Sequence, residues 1–173
     1  MSTTLRLAQR HYETLRQHLF PGDGNEAVAL LLCGRREGED RRVLTVREVA
    51  VVPYGECSVR TPYRVVWSTN ILDPLMSKIW KSGLSIVKIH SHPGGFDRFS
   101  PLDDESDSAL AISFDGLFTE GRRHGSAVML PDGFIFGREL IDGAIGPDFG
   151  SVMVAGDDIR LFGRRNLDAR AAP

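Results

Sequence analysis

Two short apolar runs constrain this chain most: "AVALLLC", Ala27 to Cys33, and "LSIVKI", Leu84 to Ile89. The first, apolar almost throughout, reads as a buried strand, and the second as a short apolar strand. Such strands need cover on each side, so the chain is expected to fold as an α/β (α+β) single domain, a mixed sheet flanked by helices.

The remaining segments fit that frame. Leu5, Ala8, Tyr12, Leu15 and Leu19 share one helical stripe, which predicts an N-terminal helix over 4–20, started by Thr3 or Thr4 and stopped by Pro21 and Gly22. The stretch 26–53 reads as a hairpin around a charged turn at Gly38. Tyr54–Arg64, with Gly, Pro and polar residues mixed, reads as a loop or irregular insertion before the strand "RVVWST". In "LDPLMSKIWKSG", Asp73 is the expected N-cap, Pro74 the first helical residue and Gly83 the stop signal. A hairpin around "PDG" and one or two short strands in the tail complete the order. No repeat or linker divides residues 1–173, in which a core over 26–137 is followed by a C-terminal extension over 138–173.

Composition removes several function classes. With 21 basic against 23 acidic residues, the net charge of −2 provides no general field for nucleic acid or an anionic membrane. Cys33 and Cys57 lack the spacing of a metal or redox motif and read as reduced thiols. The N-terminus lacks a continuous apolar h-region and no run approaches the roughly 20 residues that span a bilayer, so a cytoplasmic protein is expected. A chain of 173 residues buries enough surface to fold without a metal, so any metal site is expected to be functional.

The chemistry concentrates in "KIHSHPGGFDRFSPLDDESD", Lys88 to Asp107. Side chains alternate along a strand, so His90 and His92 emerge on one face about 7 Å apart at the backbone, where two imidazoles meet one ion. A catalytic zinc typically takes three protein ligands and leaves a place for water. Asp103 and Asp104 are the nearest candidates for the third, returned by the turn "PGGFDRF". Ser100 reads as the N-cap of a helix with Pro101 and acidic residues in its first turn. Asp103 then sits at N3, facing the cap, with Asp104 rotated by about 100°, which favours Asp103.

"HSHPGGFDRFSPLD" resembles the JAMM motif of the JAB/MPN metalloproteases: HxHP, six residues, S, two residues, D. His90, His92, Ser100 and Asp103 occupy its fixed positions. That family also places a glutamate before "LLxG" on an early apolar strand, and "NEAVALLLCG" offers Glu26, with Ala29 where many relatives carry Gly; Glu48 is the competitor. The resemblance covers about Glu26 to Gly137. It implies a JAB1/MPN-like fold, one Zn2+ per chain held by His90, His92 and Asp103, Glu26 as general base and Ser100 as hydrogen-bond donor to the oxyanion. The activity it implies is hydrolysis of a peptide or isopeptide bond after the tail of a ubiquitin-like protein, with Tyr54–Arg64 as a clamp for that tail. Similar stand-alone bacterial proteins are encoded beside ubiquitin-activating and ubiquitin-conjugating-like enzymes, including antiphage systems.

Other residues read as structural. Cys33 lies inside an apolar strand, His124 is expected as a solvated loop histidine, and His11 and His18 lie far in sequence from the site. Arg122, Arg123, Arg164 and Arg165 are expected as solvated surface. Competing readings are a non-catalytic MPN-type scaffold, a RadC-like DNA-associated JAMM protein, and a peptidase for sulfur-carrier conjugates.

Overall fold

The computed structural model describes residues 2–118 and 122–163. Their strands build a nine-stranded mixed sheet: β1 (Ser2–Ala8), β2 (Val28–Glu37), β3 (Arg41–Val51), β6 (Ser85–Ser91), β7 (His124–Met129), β8 (Ile135–Ile141), β9 (Ala144–Asp148), β10 (Ser151–Ala155) and β11 (Ile159–Gly163). Their order across the sheet is β11-β10-β1-β3-β2-β6-β7-β8-β9. β4 (Cys57–Thr61) and β5 (Arg64–Trp67) pair separately as a two-stranded hairpin.

The apolar runs become the two central antiparallel strands, β2 and β6, with Val28 opposite His90 and Leu32 opposite Ile86. Alternation sends Ala29, Leu31, Cys33, Val87 and Ile89 to one face, under helix α1 (Gln9–Leu19). Leu30, Leu32 and Ile86 go to the other, under helices α2 (Asp73–Lys81) and α3 (Pro101–Leu117). Both faces are therefore dry, which is why neither run alternates with polar residues.

Three local expectations are corrected. Residues 2–8 form a strand, and the helix starts only at Gln9. Thr3, Leu5 and Leu7 alternate inward, and β1 gains parallel ladders to β3 and β10, both remote in sequence. The supposed loop over Tyr54–Arg64 is a short 3-10 turn followed by β4 and the start of β5. Asp73 is not the N-cap of α2 but its first residue, because a 3-10 turn over Thr69–Leu72, capped by Ser68, leads directly into the helix. The tail from Gly150 holds two short strands as expected, β10 and β11, and β10 pairs with β1, so this segment joins the sheet.

His124 is buried rather than solvated. Its Nδ1 accepts the Ile86 N–H at 3.1 Å, and its ring lies 4.5 Å from that of Phe114 and 4.8 Å from that of Phe118. Arg123 is not a solvated cation either: it donates at 2.9 Å to the buried carboxylate of Glu139. Arg122 donates to the carbonyl of Ile79 at 3.4 Å and lies over Phe118, while Arg164 and Arg165 lie outside the described residues.

Burial pushes the His124 pKa down to about 3, with the cations of Arg122 and Arg35 adding to the effect. In the unfolded chain the imidazole titrates near 6.5. Protonation thus favours unfolding, and the contribution is complete above about pH 6.5 and lost progressively as pH falls towards 3. Urea midpoints at pH 7, 6 and 5 are expected to fall more steeply for wild type than for His124→Asn, which retains an acceptor for the Ile86 N–H. Equal slopes would refute this role.

Candidate metal centre

β6 delivers His90 near its end, with His92 one residue beyond the strand. Between them Ser91 faces the opposite way and sews in the segment before β2. Its Oγ accepts the Ala27 N–H at 3.0 Å and its own N–H donates to the Ala27 carbonyl at 3.1 Å. This stitch brings Glu26 beside the histidines. On its other side the Glu26 N–H donates to the Thr61 carbonyl at 2.9 Å, so the β4–β5 hairpin grips the same residue.

α3 supplies the fourth group. Ser100 is its N-cap: its Oγ accepts the Asp103 N–H at 3.2 Å, while the Asp103 carboxylate accepts the Ser100 N–H at 2.7 Å. This capping box fixes the Asp103 side chain over the cap. The other carboxylate oxygen lies 2.9 Å from His90 Nε2, His92 Nε2 lies 3.3 Å from the oxygen shared with Ser100, and the two Nε2 atoms are 3.1 Å apart. Asp104, the alternative ligand, points elsewhere and accepts from Arg138 at 2.6 Å. Glu48, the alternative to Glu26, pairs with Lys78.

These separations fit zinc. Bonds of about 2.0–2.1 Å in tetrahedral geometry set neighbouring donors about 3.3 Å apart, close to the observed 2.9–3.3 Å. His92 Nδ1 lies 2.7 Å from the Phe96 carbonyl, an arrangement that puts a proton on Nδ1 and turns Nε2 towards Asp103, where it would face a metal ion. A ligand nitrogen from each histidine and a Glu26 oxygen also fall within 4.8 Å of one another, so Glu26 is near the same point but outside the tighter trio.

The two carboxylates are driven apart electrostatically. Burial raises Glu26 to about 7, with the Asp103 charge adding to it and the His92 and Lys88 charges opposing. Burial would also raise Asp103, but hydrogen bonds from His90, His92 and the Ser100 N–H outweigh it and hold the group well below the usual carboxylate range. Burial lowers His90. It would lower His92 as well, but Asp103 and the Phe96 carbonyl reverse the sign. The surroundings thus favour the charged form of Asp103 and, up to about pH 7, the protonated form of Glu26.

Beside these groups lies a cavity of about 350 Å³, with Glu26, His90 and Asp103 on its floor. One wall is β5, from Arg64 to Trp67, and the other is the α3 face around Leu102, Ser106 and Ala109. Tyr63 stands at the rim, 80% exposed. The hairpin is anchored rather than loose: Arg60 pairs with Asp23 and lies 4.1 Å over the Tyr54 ring, and Tyr54 donates to the His18 carbonyl at 2.8 Å. Neither thiol shares the cavity, and burial raises both above the ordinary cysteine range.

Sequence reasoning missed the residues that hold this geometry: Ser91, Thr61, the Phe96 carbonyl, and a buried Lys88–Asp107–Arg138 network behind the trio. Only Lys88 left a signal, as a charge inside an apolar run. The Ser100 hydroxyl donates to Asp103 at 2.8 Å, so in this geometry it organises the carboxylate.

The fold and site can be set against known proteins. A solved structure, that of protein DSY2949 from Desulfitobacterium hafniense, superposes with a TM-score of 0.54 at 19% identity, covering 88% of this chain and 94% of that one, a likeness of fold. No curated protein matches the chain. Residues 8–136 match the family described as prokaryotic homologs of the JAB domain. That span is well over half of the sequence, and the chain therefore belongs to the prokaryotic JAB-domain family.

Proposed function

We propose that this chain is a zinc-dependent peptidase or isopeptidase that cuts after the extended C-terminal tail of a ubiquitin-like protein. The observation that carries it is the convergence of His90, His92 and Asp103 donor atoms at 2.9–3.3 Å beside a buried Glu26. Zinc held there would supply a Lewis acid that lowers the pKa of a water molecule and polarises a carbonyl. Glu26, raised to about 7, takes a proton at its carboxylate and returns it to the departing amine. The Asp103 anion and the Phe96-oriented imidazole of His92 hold the donor set in place, and the capping box keeps Asp103 aimed. Ser100 as an oxyanion donor requires its hydroxyl to turn from Asp103 towards the substrate.

The substrate class rests on the cavity wall. Among the described residues β5 pairs only with β4, so its other edge, along the cavity, is open to an extended peptide by strand addition. This reading places the protein in the cytoplasm with a ubiquitin-like protein or its conjugate as partner, enzymes of ubiquitin-like activation and conjugation encoded nearby, and a role in antiphage defence. It includes no nucleic-acid or membrane partner; among the described residues no helix is long and apolar enough to cross a membrane.

A fusion carrying a cargo after a ubiquitin-like tail, incubated with the zinc-loaded protein, is expected to be cut at the tail. Glu26→Gln should keep its zinc and lose about 100-fold or more in turnover, as expected for a general base. Chelation should abolish cleavage and added zinc restore it. Binding of the fusion without cleavage would favour the scaffold reading, and undiminished turnover by Glu26→Gln would refute the base assignment. Ser100→Ala is expected to lower stability by about 0.5–2 kcal/mol through loss of the cap, measured by urea unfolding, and an unchanged midpoint would contradict the capping account.

A further inference from the structure

The buried ions behind the trio are neither ligands nor the proton carrier of that chemistry, yet their spacing matches the site. Two residues along a strand advance about 6.6 Å and four along a helix about 6.0 Å. His90 and Lys88 on β6 therefore face Asp103 and Asp107 on α3 as two rungs of one ladder. The first rung is the His90–Asp103 contact at 2.9 Å and the second is the Lys88–Asp107 ion pair.

The second rung is closed to water, with Lys88 at 4% and Asp107 at 0% exposure. Arg138, reaching over from β8, clamps it by donating through Nε at 2.9 Å and Nη2 at 2.6 Å to the free Asp107 oxygen. Its Nη1 donates to Asp104 at 2.6 Å, and its guanidinium carbon lies 3.7 Å over the Phe99 ring. One arginine thus holds the residue before the cap, the first turn and the second turn of α3.

We propose that Lys88, Asp107 and Arg138 are positioning residues that fix the register of α3 on β6 and thereby hold Asp103 opposite His90. The inference rests on reading His90, His92 and Asp103 as zinc ligands. Apolar packing between a helix and a sheet tolerates sliding, whereas a buried ion pair does not: a shift of one residue turns Asp107 away by about 100° and strands the Lys88 cation in a dry interior. Because the ligands come from two separate elements, such a shift would open the metal site.

The test measures zinc affinity by chelator competition, together with amide hydrogen exchange of residues 103–107 in the metal-free protein. Lys88→Met, which leaves Asp107 paired with Arg138, is expected to weaken zinc binding about tenfold or more and to speed exchange at the start of α3. Asp104→Ala, at an exposed position that tolerates truncation, is the milder arm and should move both readouts in the same direction. Glu139→Gln disrupts a different buried charge cluster, with Thr3 and Arg123, and should lose stability while keeping wild-type zinc affinity. Lys88→Met and Asp104→Ala with wild-type affinity and exchange would overturn the proposal, as would an equal loss of affinity in Glu139→Gln. Exchange in the metal-free protein decides the register whether or not wild type holds zinc; a wild type that binds none would sink the metal reading by itself.

Discussion

The antiparallel ladder between β2 and β6 is the constraint on which the rest of this structure depends. By setting Val28 opposite His90, it fixes where the segment before β2 meets the end of β6. Ser91 then locks Ala27 through side chain and backbone together, so Glu26 reaches the histidines without any covalent or metal link. A one-residue slip of this ladder would send the buried faces to the wrong layers and separate Glu26 from His90 at the same time. Core packing and site assembly are therefore specified by one register.

Around that register, two carboxylates acquire opposite properties from their surroundings. Asp103 is met by two imidazoles and a backbone N–H, which favour its charge despite burial. Among the described residues no comparable set of donors meets the Glu26 carboxylate, so desolvation dominates and lifts it to about 7. Sequence alone shows two acidic residues, while geometry shifts their carboxyl groups in opposite directions. The β4–β5 hairpin contributes by gripping the Glu26 backbone from one side and lining the cavity from the other with a β5 edge that pairs with no strand among the described residues.

Features encoded locally were legible. The apolar runs named β2 and β6, and "SPLD" carried both the helix start and the aim of Asp103, because a capping box is complete within four residues. Features that depend on remote partners were not. Leu5 and Ala8 fit a helical stripe with Tyr12 and Leu15, but β1 is decided by strands more than thirty and more than a hundred and forty residues away. His124 looked solvated between Arg123 and Gly125, since nothing nearby announces Phe114, Phe118 or the Ile86 N–H. What makes Lys88 tolerable inside an apolar run, Asp107 and Arg138, arrives from a helix and a different strand.

The central claim is that two imidazoles and the Asp103 carboxylate surround one zinc ion. X-ray absorption at the zinc edge on the metal-loaded protein tests this most directly. The account predicts nitrogen and oxygen neighbours only, at about 2.0 Å, with an imidazole scattering pattern worth two histidines. A sulfur neighbour near 2.3 Å, or a pattern without imidazole, would contradict it.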